Sequence, residues 1–138
     1  MTDLKVVRWK QRFANFELSY KLLEKYIGAP IDNELERAGV IQFFEVSFEL
    51  AWKVLKDYLE AQVFQVNSPR EVIKTAFQAG IIENGHVWID ALTDRNLTVH
   101  TYDPKLAEKM ITDIAEIYFP ELKKLYEKLS GEVENVEE

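Results

Sequence analysis

The ten residues from Asp94 to Asp103, Asp-Arg-Asn-Leu-Thr-Val-His-Thr-Tyr-Asp, form the chain's densest group of side chains able to do chemistry. They include an arginine, an asparagine, a tyrosine, two aspartates and one of the chain's two histidines. An imidazole titrates near neutral pH and can move protons during phosphodiester cleavage, while a guanidinium can hold a phosphate and stabilise its developing negative charge. With RNA the attacking group can be the substrate's own 2′-hydroxyl, so such a site needs neither a metal nor an enzyme nucleophile. Arg95 and His100 are therefore candidate catalytic residues. A plainer arrangement, in which Arg95 pairs with a nearby aspartate and His100 caps a helix end, fits the same spacing, and spacing alone favours it.

Position along the chain bears on whether these groups can converge. Thr98, Val99 and Thr101 are weak helix formers, and Asp103-Pro104 is a cap followed by a first-turn proline, so the stretch straddles the end of one helix and the start of the next. On an unbroken helix Arg95 and His100 would point about 140° apart. A break between them removes that obstacle, and His100 and Tyr102, two apart in an extended segment, can face the same way.

A second set of candidates lies upstream. Glu45, Glu49 and Lys53 recur every four residues on a long apolar segment beside Trp52, a pattern that fits a ligand-binding polar site inside a bundle. Simple pairing of Glu49 with Lys53 at the surface fits it more economically. His86, beside Gly85, reads as a loop or helix-start residue without a catalytic role, Trp88 as core, and Phe44, Phe48 and Trp52 as core or dimer seam.

The elements that must position these residues are helical. Trp9, Phe13, Phe16, Tyr20, Leu23 and Ile27 recur at steps of three and four, and Gly28 and Pro30 then stop the helix. A second helix, capped at Asp32 or Asn33 and running toward Gln62, would be about 45 Å long. It is apolar on more than one face: Ile41, Phe44, Phe48, Trp52 and Leu55 make one stripe, widened by Val40, Phe43, Val46, Leu50 and Val54. Such a helix is buried from several sides, within a bundle or partly under a second subunit. Ser68-Pro69-Arg70-Glu71 starts a third helix that Gly80 ends. A fourth spans about Glu83 to Leu97. A fifth runs from Asp103-Pro104 to Gly131, with Pro120 inside it expected to kink or break it. No strand-like alternation, phosphate-binding glycine loop or repeat competes with this pattern. The expected fold is all-α, an antiparallel up-and-down bundle of four to five helices.

Composition agrees with one compact domain over residues 1–131, followed by an acidic, disordered tail at 132–138. The chain has 138 residues, 47% apolar and 30% charged. It has no cysteine, which removes disulfides, thiolate nucleophiles and thiolate-bound zinc, and histidines 14 apart make a poor metal site. No metal and no cofactor are expected. No apolar run approaches the roughly 20 residues a membrane span needs, and the first residues lack a signal-peptide pattern, so the expected location is the cytoplasm. A net charge of -7 argues against broad adhesion to nucleic acid, which leaves only local contact.

Three segments, Phe43 to Lys53, Ser68 to Ile73, and Trp88 through Asp94 to Tyr102, together resemble the nucleotidyltransferase substrate-binding protein family, a branch of the HEPN superfamily. The likeness covers roughly residues 5 to 129 and keeps the segments in order. It implies a helical bundle, usually a homodimer, encoded beside a minimal nucleotidyltransferase. Related HEPN proteins are toxins that cleave RNA without metal through an Arg, four to six residues and a His. Here that motif is Arg95, Asn96 to Val99, and His100. In its extended form a Tyr follows two residues later, here Tyr102, which the partner can modify with AMP to silence the toxin. On this resemblance Arg95 binds the scissile phosphate, His100 acts as acid or base and Asn96 orients one of them. A two-fold dimer would bring two copies of the motif into one groove.

Three functions follow: an RNA-cleaving toxin held in check by its nucleotidyltransferase, a non-catalytic subunit that presents a nucleotide or other substrate to that partner, and a purely structural dimer. The first requires the Arg and His of two subunits to face an open groove. The second requires an enclosed pocket on the long apolar helix, lined by Glu45 or Glu49.

Overall fold

The computed structural model describes residues 4–95 and 102–136, the side chains of 134–136 excepted. Among these residues the chain is helical: α1 (Leu4–Ile27), α2 (Glu34–Ala61), α3 (Pro69–Gln78), α4 (Gly85–Arg95), α5 (Pro104–Asp113), a π-helical turn (Ile114–Tyr118) and α6 (Phe119–Val136). The result is the antiparallel up-and-down bundle that the periodicity calls for.

Local chemistry sets the helix starts. The Asn33 side chain accepts from the Glu36 N–H at 2.9 Å, and the Glu36 carboxylate reaches back to the Asp32 N–H at 3.2 Å. Ser68 Oγ accepts from the Glu71 N–H with Pro69 in the first turn, and Asp103 Oδ1 accepts from the Lys105 N–H at 3.0 Å ahead of α5. Each satisfies a donor that the first turn of a helix leaves without an intrahelical partner. Two ends turn through positive φ. Gly80 closes α3 at +78°, and Val63, just past α2, takes +72° in spite of its branched side chain.

α2 is the centre of the bundle, touching α1, α3, α4, α5 and α6. This is why it is apolar on several faces: Val40, Ile41, Phe44, Phe48, Ala51, Val54, Leu55 and Leu59 are all buried. Two aromatic groups flank it. Tyr20 stacks on Tyr126 at 4.5 Å and on Phe119 at 5.5 Å, while Phe44 meets Tyr118 at 5.6 Å and Phe48 meets Trp88 at 5.7 Å. Burying such rings supplies much of the driving force for folding.

Two expectations change. Pro120, expected to kink or break its helix, does not end it. Immediately before it the chain widens into the π-helical turn, where the Phe119 N–H bonds the Ile114 carbonyl five residues back. That register relieves the clash between a proline ring and the carbonyl four residues earlier and uses the position that lacks an N–H. The last helix also passes Gly131 and continues to Val136, with Val133 against the core, so the segment expected to be a frayed tail from 132 is helical through 136. α4 starts at Gly85, two residues later than expected, with its first turn accepted by the Asn84 carbonyl. Its expected end at Leu97 falls outside the described residues.

Candidate functional site

Arg95 is the last described residue of α4, and its side chain crosses to α2. One terminal guanidinium nitrogen donates to Glu49 Oε2, and the guanidinium carbon lies 6.0 Å from the centre of the Phe48 ring. Glu49 Oε2 also accepts from the Trp52 indole N–H at 3.0 Å, and Lys53 approaches Glu49 Oε1 at 3.4 Å. Trp52 and Lys53 sit three and four residues after Glu49, the spacings that bring side chains together on one helix face. The carboxylate is thus held by two neighbours on its own helix and by the arginine of another.

The residue before Arg95 is fixed from the opposite side. Tyr118, at the end of the π-helical turn, donates its hydroxyl to Asp94. Burial pushes the Tyr118 phenol above its ordinary pKa, and the hydrogen bond to Asp94 and the charge there push it further. The last described turn of α4 therefore has two anchors, Asp94 on the π-helical turn and Arg95 on α2.

The remaining candidates distribute as follows. Tyr102 precedes the Asp103 cap of α5 and is 80% exposed. Asn96 and His100 lie outside the described residues, so their geometry relative to Arg95 is not on view. Glu49 and Trp52 join Arg95. Glu45, one turn earlier on α2, is half-buried rather than sealed in the core. The surface pairing of Glu49 with Lys53 is present, yet it belongs to a larger cluster that spacing on one helix could not reveal, because Arg95 is 46 residues away. His86 is exposed in the first turn of α4, and Trp88 is core. Tyr118 and Asp94 were not paired by any local signal.

The cavity between Phe48, Trp88, Ala91 and Tyr118 holds about 10 Å³, room for no more than a single water. A larger groove of about 530 Å³ lies at the N-terminal end of α2, lined by Tyr26, Pro30, Leu35 and Phe43, with Asp32 and Glu36 as its charged groups. Among the described residues no group of three or more His, Cys, Asp or Glu side chains could hold a metal ion, and no helix is long and apolar enough to cross a membrane.

The described residues thus form an all-α bundle in which Arg95, the last described residue of α4, is docked on a carboxylate of the central apolar helix. Residues 11–131 match the family described as nucleotidyltransferase substrate binding protein like, and the chain belongs to that family. It is similar to a probable ribonuclease HepT of Haemophilus influenzae, 29% identical over 82 residues, which is 56% of each chain. The chain thus spans little more than half the length of that relative. A crystal structure of a Thermus thermophilus protein shares the fold, with a TM-score of 0.71 and 30% identity over 85% of this chain and 97% of the other.

Proposed function

We propose that the protein is the HEPN-type partner of a nucleotidyltransferase and cleaves RNA without a metal ion, through Arg95 and His100. The observation that carries this reading is the fixing of Arg95, the first position of the Arg-to-His segment, by a carboxylate on the central helix. Membership of the family and the ribonuclease named among its relatives support it.

In the proposed reaction the guanidinium of Arg95 binds the scissile phosphate and offsets the charge that builds on its oxygens. A base removes the proton of the 2′-hydroxyl, whose oxygen attacks phosphorus. The bond to the 5′-oxygen breaks, leaving a 2′,3′-cyclic phosphate, and the departing oxygen takes up a proton. His100 serves as that base or as that acid, Asn96 orients one of the pair, and a two-fold dimer supplies a second copy of each. Exposed Tyr102 is the residue for control: its oxygen attacks the α-phosphorus of ATP, pyrophosphate leaves, and the attached AMP puts bulk and negative charge where RNA must lie.

The competing reading, a non-catalytic subunit presenting a nucleotide, calls for an enclosed pocket on α2 at Glu45 or Glu49. The groove of about 530 Å³ at the N-terminal end of α2 is lined by Val40 and Phe43 rather than by Glu45 or Glu49. Purified protein incubated with RNA in a metal chelator should yield cyclic-phosphate ends, and Arg95→Ala and His100→Ala should each remove them. Cleavage undiminished in both variants would sink the assignment. Co-expression with the nucleotidyltransferase should raise the mass by one AMP group at Tyr102 and not in Tyr102→Phe.

A further inference from the structure

The cluster around Arg95 contains more order than a neutralising contact requires. Glu49 Oε2 accepts from both Arg95 and the Trp52 indole, and Lys53 holds Oε1. Both helix-borne partners, Trp52 and Lys53, follow from α2 geometry alone, so the carboxylate is oriented by its own helix before Arg95 reaches it. Phe48 gives the guanidinium a flat surface from the same helix, one residue before Glu49. We infer that Glu49 is a positioning residue of the phosphodiester site: oriented by Trp52 and Lys53, it sets the direction of the Arg95 guanidinium toward the scissile phosphate. This rests on the ribonuclease reading and extends it to a residue 46 positions away from the motif.

The opposite role for Glu49 is competition, with the carboxylate masking Arg95 from phosphate. The two roles predict effects of opposite sign. A positioning carboxylate acts mainly through acceptor geometry, which glutamine keeps in part because its side-chain oxygen can still accept from Arg95 and Trp52. A masking carboxylate acts through charge, which glutamine and alanine both remove. Small displacements of a catalytic group are costly, with a shift of about 1 Å able to lower the rate by about a hundredfold.

Cleavage of an RNA oligonucleotide should be measured for the wild type, Glu49→Gln, Glu49→Ala and Trp52→Phe, each shown to be folded by its thermal transition. Glu49→Ala should lower kcat tenfold or more with a smaller change in KM. Glu49→Gln should stay within about threefold of the wild type, and Trp52→Phe should fall between the two, because it loosens Glu49 without removing it. Faster cleavage or lower KM in both Glu49 variants overturns the proposal in favour of masking, and an unchanged kcat in Glu49→Ala overturns it outright. A second readout is independent of activity. Three tryptophans give three indole N–H resonances, Trp52→Phe identifies one, and Arg95→Ala should shift that one because both groups share Oε2. A resonance that does not move removes the geometric basis. Failure of the underlying reading has a different signature: wild-type protein that cuts no RNA although the Trp52 resonance still responds to Arg95→Ala.

Discussion

Two arginines reach from neighbouring helices to carboxylates on α2, and they face opposite circumstances. Arg12 of α1 donates to Asp57 at 2.8 Å, where the carboxylate is 5% exposed and the arginine 42%. Arg95 of α4 donates to Glu49, where the carboxylate is 38% exposed and the arginine 22%. In the first pair the acid is sealed inside the bundle and its carboxylate accepts from Arg12. In the second the acid is open to solvent and already has Lys53 and Trp52, so it does not need Arg95 for its own sake. A sealed acid holding a half-exposed base fits a structural role, whereas a solvated acid with other partners of its own leaves Arg95 available for the role proposed above.

Breaking the structural pair should have the largest effect on stability. Arg12→Met leaves the buried Asp57 carboxyl without its arginine and nearly without water, and should cost about 2 kcal/mol, measured by urea unfolding, with cleavage per folded molecule unchanged. Asp57→Asn should cost less, since Arg12 is exposed enough to regain water. Equal losses in the two variants would mean that burial of Asp57 is not what distinguishes the pair.

The comparison sharpens at the second anchor of α4. Tyr118→Phe removes the hydroxyl that Asp94 accepts and should cost about 1 kcal/mol, with a loss of cleavage larger than any loss of fold. The same phenol gives a pH signature. Burial raises Tyr118 and Tyr20, and the hydrogen bond to Glu17 is the main cause of Tyr126 being pushed up to about 12. A folded-state pKa above the ordinary value of about 10 stabilises the fold fully below that pH, and this contribution is lost as pH rises through the folded values. The contribution of these phenols should therefore be level below pH 10, and stability should decline toward pH 12 and beyond, less steeply in Tyr118→Phe. Absorbance at 295 nm should show these phenols ionising late, together with unfolding.

The smallest effect is expected away from both pairs. Val63 holds φ +72° with 86% of its surface exposed, so Val63→Gly relieves strain without exposing core. The gain should be about 0.5 kcal/mol, because glycine's freedom in the unfolded chain offsets part of the strain relieved. Thermal unfolding of that variant would show a small rise in midpoint.

What the sequence revealed follows the range of the forces involved. The caps at Asn33, Ser68 and Asp103 were legible because a cap is a contact over two or three residues. α2 could be recognised as central because burial on several faces leaves apolar residues on all of them. Pro120 signalled a local disturbance, but not the π-helical turn that the chain forms just before it. Glu49 was visible as part of a helical series with Lys53, and its partner Arg95 was visible in the motif. Their contact was not, because it depends on how α4 lies against α2. Arg12 and Asp57 carried no signal at all, being ordinary charged residues 45 apart.

One measurement tests the central distinction most directly: the same substitution, arginine to methionine, at both positions, with thermal midpoint and RNA cleavage read side by side. Arg12→Met should lower the midpoint by roughly 6–10 °C and leave cleavage by the folded protein intact. Arg95→Met should shift the midpoint by less than Arg12→Met, since Glu49 is 38% exposed and keeps Trp52 and Lys53, and should reduce cleavage at least a hundredfold. Wild-type cleavage in Arg95→Met, or a loss of cleavage in folded Arg12→Met as great as in Arg95→Met, would contradict the assignment of one pair to the fold and the other to the chemistry.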